Sequence, residues 1–216
     1  MEEFEEFQEK ITMEDNLLVK IWTEPRDVFR FVHKYNYDKY VIGLLLLAGI
    51  SRAFDQAVQK DLGNTQSLQS IIIMCVTFGG LFGWIGYYLY AVLISWTGKL
   101  LDGKSSSRSI LRILAYALIP SIVALALLIP QLAVYGAEVF REDGHITTAS
   151  WIGNAIFYTA VIGELTLGVW SLVLCVIGIS EIQNFSIGKA IVNLLLPIAF
   201  ILIPFLLIAL VIYLVT

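Results

Sequence analysis

The chain has 216 residues, 58% of them hydrophobic and 15% charged, with a net charge of −4 and a mean hydropathy of +0.79. Soluble domains carry about 25% charged residues. The composition therefore excludes an ordinary soluble domain and points to a one-domain polytopic membrane protein. Most charges lie before Tyr40 or in a few short loops, and no basic-aromatic groove suggests nucleic acid.

The chain opens on an acidic block, Glu2 to Asp15, with seven acids against Lys10. This is the reverse of a signal peptide's basic lead, so no cleavable leader is expected. Phe4, Phe7 and Ile11 have helical spacing within it. The block reads either as a solvated tail or as a docking segment for a basic cytoplasmic protein partner. Residues 24 to 35 then predict an amphipathic helix, with Thr23 as N-cap and Pro25 in its first turn. At about 100° per residue, Arg26, Arg30, His33 and Lys34 share one arc and Val28, Phe31, Val32 and Tyr35 the opposite one. Such a helix lies in the membrane interface, its basic face on anionic headgroups, or docks on the protein's own inner surface, or does both. Residues 1–36 thus form a cytoplasmic segment ahead of a transmembrane domain, 37–216.

Four segments are long enough to cross a bilayer: Leu68 to Trp96, Ile110 to Val134, Ala155 to Ile182 and Ile187 to Val215. A fifth, Tyr37 to Ala57, is interrupted by Arg52 and Asp55. Charge bias favours including it. Five spans with the N-terminus inside put eleven of fourteen Lys and Arg on the inner side, leaving Arg52, Lys60 and Arg141 outside. Omitting the first span gives nine in and five out. The C-terminus is then expected outside. Trp96 and Trp151 at span ends suit the interface, and the mid-span Trp84 and Trp170 read as packing residues. Pro120, Pro130, Pro197 and Pro204 fall inside the spans, which predicts kinked helices. The fold class is all-α, five kinked transmembrane helices preceded by an amphipathic interfacial helix.

Charges within the apolar spans are the pointers to function. Glu164 lies about 6 Å and Arg52 about 7 Å outward of the centres of their spans at 1.5 Å per residue. Their shared depth predicts a pair, with Asp55 one turn further out and Gln131 nearby. It reads as a buried ion pair fixing helix register, or as a polar cavity for a headgroup, ion or proton. Lys104, Arg108 and Arg112, beside Lys99, are expected to join Arg26, Arg30 and Lys34 at the membrane surface. Gly79 and Gly83 form a small-xxx-small pair for close helix packing.

Other motifs carry less. Gly98 to Ser105 matches the phosphate-loop spacing, but no strand precedes it, so its lysines read as positive-inside residues. Cys75 and Cys175 read as small buried hydrophobes. His33 and His145 fall on opposite sides of the membrane in this topology and have no metal-ligand spacing. No catalytic constellation is visible, and neither an enzyme activity nor a cofactor is expected.

Three stretches together resemble a known family. They are Trp22-Thr-Glu-Pro-Arg-Asp-Val-Phe, Leu101-Asp-Gly-Lys-Ser-Ser-Ser-Arg leading to Tyr116-Ala-Leu-Ile-Pro, and Val169-Trp-Ser-Leu-Val-Leu-Cys-Val-Ile-Gly followed by Phe185-Ser-Ile-Gly-Lys-Ala. In order and spacing, over residues 20 to 215, they resemble the prokaryotic branch of the Yip family of Ypt/Rab-interacting-type membrane proteins. The resemblance implies five spans, a cytoplasmic N-terminus, a C-terminus on the far side and a place in the prokaryotic plasma (inner) membrane. The eukaryotic relatives bind Rab-type GTPases and act in vesicle traffic. Their Asp-Leu-Tyr-Gly-Pro signature is absent here, with Trp22 to Phe29 in its place, so GTPase binding is not carried over. The leading expectation is a non-enzymatic membrane protein that organises lipid or recruits partners. The alternative is a small transporter, channel or lipid-handling protein built on Arg52, Asp55, Gln131 and Glu164.

Overall fold

The computed structural model describes residues 13–142 and 150–215. The expectations placed on Glu2 to Ile11 and on His145 lie outside the described residues. Among these residues the fold is all-α. Its helices are α1 (residues 13–20), α2 (Pro25–Lys34), α3 (Val41–Gln59), α4 (Leu68–Leu100), α5 (Ser107–Phe140), α6 (Trp151–Gln183) and α7 (Ile187–Val215). Four of them, α3 to α6, are long and apolar enough to cross a membrane, and α7 runs for 29 residues. The interrupted first span forms one helix; neither Arg52 nor Asp55 ends it.

Polar residues end the helices. Asn36, Asp61, Asp102 and Asn184 follow α2, α3, α4 and α6 and hold φ of 49°, 50°, 67° and 55°. Asn and Asp enter this left-handed region most readily after glycine, because their short side chains bond locally. After three of them the chain reaches back to cap the helix. The N–H groups of Tyr37, Gly103 and Phe185 donate to the carbonyls of Val32, Gly98 and Ser180 at 3.0, 2.8 and 2.9 Å.

The chain forms two compact units. The first takes in Met1–Tyr37, Tyr88–Leu114 and Val176–Thr216. Here α2 buries Val28, Phe29, Phe31 and Val32. The Phe29 ring and Ile113 pack on Gly178 and leave no room there for a Cβ. The apolar face of α2 is thus covered by protein, as the docked reading of this helix expects. Glu24, not Thr23, is its N-cap, and no side chain caps it. The Gly98 to Ser105 loop has a structural reason for its glycines. Gln183 crowds both Gly98 and Gly103, and its Oε1 accepts the Ser105 N–H at 3.0 Å.

The second unit comprises Asp38–Tyr87 and Ala115–Cys175. Its core joins Phe54 and Ala57 of α3 to Ile71 and Cys75 of α4 and to Val139 and Phe140 of α5. A Cβ on Gly49, Gly79 or Gly83 would overlap the facing helix, so the small-xxx-small glycines serve packing of α3 on α4 inside this chain. At this contact α4 widens into a π-turn, Cys75–Gly79, which no proline announces. Proline breaks α5 instead. The helix stops at Ala117 and restarts at Ile119, with Pro120 in the new first turn, whereas Pro130 sits inside the restarted helix. Trp84, expected to pack, is 41% exposed, and its Nε1 donates to the Leu81 carbonyl of its own helix at 2.8 Å.

Candidate functional site

The break before Pro120 organises the centre of the second unit. An N–H in the first turn of a helix lacks an intrahelical acceptor. That of Ser121 donates to Ser171 Oγ of α6 at 3.0 Å, and the Ser121 hydroxyl bonds the same oxygen at 2.8 Å. The Ser51 hydroxyl of α3 donates to the Ser121 carbonyl at 3.2 Å. Three helices thus meet at three serines, which cost little volume and satisfy the interrupted backbone.

Beside this junction opens a cleft of about 400 Å³. Its polar lining includes Ser51, Asp55, Gln59, Ser121, Gln131 and Glu164; its apolar wall includes Phe54, Leu125, Leu128 and Phe157. Gln131, 6% exposed, donates from Nε2 to Glu164 Oε1 at 2.9 Å and to the Leu127 carbonyl at 3.3 Å. The structure therefore brings Asp55, Gln131 and Glu164 together. Two carboxylates with one amide donor make an acidic site suited to a cation or a proton.

Arg52 is not part of it. Among the described residues no ion pair joins Arg52 to Glu164, and the expected contact is corrected. Arg52 lies over the Tyr87 ring, 5.9 Å from its centroid, and the Tyr87 hydroxyl donates to the Ala48 carbonyl at 3.3 Å. Arg52 lines a second cleft of about 590 Å³, on the side of α3 that faces α4, together with Gln56 and Lys60. Depth along a helix does not fix azimuth about its axis. Residues 51, 55 and 59 follow one stripe of α3, and 49, 52, 56 and 60 follow another. That second stripe was readable in the sequence, and with it Lys60. The serine junction was not, because serines in an apolar span carry no partner signal.

In the first unit, the basic face of α2 is exposed but engaged. Arg30 donates from Nε to Glu181 Oε1 at 3.0 Å and pairs with it through Nη2 at 2.9 Å, and Arg26 approaches Oε2 at 3.9 Å. Lys34 lies over the Tyr35 ring, 5.0 Å from its centroid. Lys104 and Arg108 are exposed. Arg112, expected on the membrane surface, is 5% exposed and donates to Asn36 Oδ1 at 2.6 Å, bracing the left-handed turn that ends α2. Charge bias alone put it there; burial of Ile110, Ile113 and Leu114 draws that part of α5 inward instead. Glu181 was missed, since nothing in the sequence links it to residues about 150 positions earlier.

The family model described as Yip1 domain matches residues 19–209. No curated protein and no solved structure matches the chain.

Proposed function

The chain belongs to the Yip1 domain family, and from that premise we propose that it is a non-enzymatic integral membrane protein that organises the lipid around its helices and recruits partners at a basic cytoplasmic face. The observation that carries this reading is how little protein covers α4 and α6. Only 17% of the most apolar window of each is buried, against 39% and 44% for α3 and α5. Both charged clefts of the second unit are bounded by these lipid-facing helices. Five crossings, with the first residues in the cytoplasm and the last on the far side, belong to the same proposal. The distribution of charge supports them. Of the fourteen Lys and Arg, this topology puts eleven on the inner side and only Arg52, Lys60 and Arg141 on the outer. Lys104 and Arg108 supply the exposed basic surface for anionic headgroups or an acidic partner.

The test is reconstitution of the full chain in vesicles of phosphatidylglycerol and phosphatidylcholine. Labelled phosphatidylglycerol is expected to concentrate around the protein, read by energy transfer from a labelled chain, with no passage of protons or potassium. Random mixing of the lipids would overturn the reading. The acidic cleft favours one rival, a proton or cation pathway through Asp55, Gln131 and Glu164. Under that rival the vesicles leak, and Glu164→Gln stops the leak.

A further inference from the structure

We propose that the groove between α3 and the first half of α4 binds one anionic phospholipid, its phosphate held by Arg52 and Lys60 and its acyl chains laid against Met74, Phe78 and Phe82. The inference deepens the lipid-organising reading and rests on it for the presence of a bilayer around these helices.

Charge complementarity comes first. Arg52 and Lys60 line the groove, and no Asp or Glu does. Arg52 has the Tyr87 ring as its neighbour and, among the described residues, is in no ion pair within 4 Å. An arginine in an apolar span is retained where an anion or a polar partner meets it. The two cations stand eight residues apart, about 12 Å along the helix axis. Their long, flexible stems let both charged heads swing along the apolar surface toward a phosphate placed between them. A single phosphate between them receives both. A zwitterionic choline headgroup brings a cation of its own, for which this groove offers no counter-charge.

The apolar half of the groove has the shape for a chain. Phe78 and Phe82 are 62% and 55% exposed and stack with centroids 6.0 Å apart and ring planes 20° apart. They form a flat wall on the same side as Met74. The floor is glycine: Gly49, Gly79 and Gly83 bring the two backbones together, so no side chain fills the slot. At Gly86 a Cβ would come within 3.4 Å of Arg52 Nη1, so glycine there also leaves the guanidinium room. The opening, about 590 Å³, accommodates a glycerophosphate and the first methylenes of its chains.

The test is native mass spectrometry of the full chain released from detergent after equilibration with a single lipid. Phosphatidylglycerol is expected to stay bound one per chain, phosphatidylcholine of the same acyl length to be lost, and glycerol 3-phosphate not to be retained. Arg52→Gln with Lys60→Gln should lower phosphatidylglycerol occupancy roughly tenfold or more, while Arg52→Lys with Lys60→Arg keeps it. If the double glutamine variant does not fold, Lys60→Gln alone, at the exposed end of α3, should weaken binding about fivefold. Unchanged occupancy in the folded glutamine variants overturns the site. Equal retention of phosphatidylcholine overturns the role of charge, and retention of glycerol 3-phosphate alone overturns the role of the apolar wall. The outcome is separable from that in vesicles. Glutamine variants that still cluster phosphatidylglycerol sink this site and leave the organising function standing; wild-type chain that binds the lipid but fails to cluster it does the opposite.

Discussion

A Cβ at Gly83 would strike the Gly49 backbone, and backbone has no rotamer by which to yield. Three residues earlier, at Gly80, the same atom would meet only the Ile50 side chain at 3.7 Å, an ordinary contact. The two glycines look alike in the sequence but should respond oppositely to alanine. Gly83→Ala should destabilise by about 1–3 kcal/mol, the usual cost of overpacking. Gly80→Ala should be neutral or gain up to about 1 kcal/mol from helix propensity. Thermal unfolding in detergent checks the pair, and equal shifts would show that α3 and α4 are not in backbone contact. Ser171 allows a second comparison. It receives the part-buried Ser121 N–H at the restart of α5, so Ser171→Ala should cost about 1 kcal/mol by leaving that donor without its partner. Pro120→Ala restores the route from that N–H to the Ala117 carbonyl. The double variant should therefore recover about 1 kcal/mol relative to the sum of the single ones. At this scale the sequence shows which residues are unusual. It does not show which of several glycines or serines touches another helix, because that depends on rotation about the helix axis.

At the scale of the element, α2 tests whether burial or charge attaches a helix. Its two arginines grip Glu181, but they are 58% and 62% exposed, and water screens pairs of that kind to about 1 kcal/mol or less. Its apolar face buries Val28, Phe29 and Val32 completely. Truncating one large buried aromatic costs about 3–5 kcal/mol. Burial should therefore decide. Phe29→Ala is expected to expose residues 21–40 to limited proteolysis, whereas Glu181→Gln leaves the cleavage pattern unchanged. Proteolysis of the second variant alone would reverse the ranking. The helix itself was legible, since its two faces separate at 100° per residue. Where its apolar face goes was not, because bilayer and protein cover such a face equally well. The breaks within the long helices were half legible. Pro120 announces the one in α5 through its missing N–H, while no proline announces the widened turn at Cys75–Gly79; Gly79 and Gly83 signal a close approach there but not that Gly49 is the partner.

At the scale of the molecule, the spans could be read because hydrocarbon demands about 20 apolar residues each, a demand that acts on sequence directly. The Arg52–Glu164 pairing failed for the complementary reason: rise per residue sets depth, but nothing in one helix fixes the rotation of another. Orientation depends on charge counted over whole loops, and it supports a definite prediction. Cys75 and Cys175 are buried, so the native thiols are a quiet background for labelling. A single cysteine placed at Lys104, an exposed residue of the basic loop, should react with a membrane-impermeant maleimide only after the membrane is permeabilised. Thr216→Cys should react without permeabilisation if, as proposed, five crossings put the last residue opposite the first. The inference holds even though α3 is the least apolar of the spans, with hydropathy 1.5. Removing it from the membrane carries the Lys99, Lys104, Arg108 and Arg112 cluster to the far side, which the charge rule disfavours more strongly than it disfavours keeping Arg52 in a span. If the two cysteines exchange their behaviour, α3 does not cross, and Arg52 and Lys60 face the cytoplasm. If both label from one side, the number of crossings beyond Lys104 is even, and α7 ends on the side where it began.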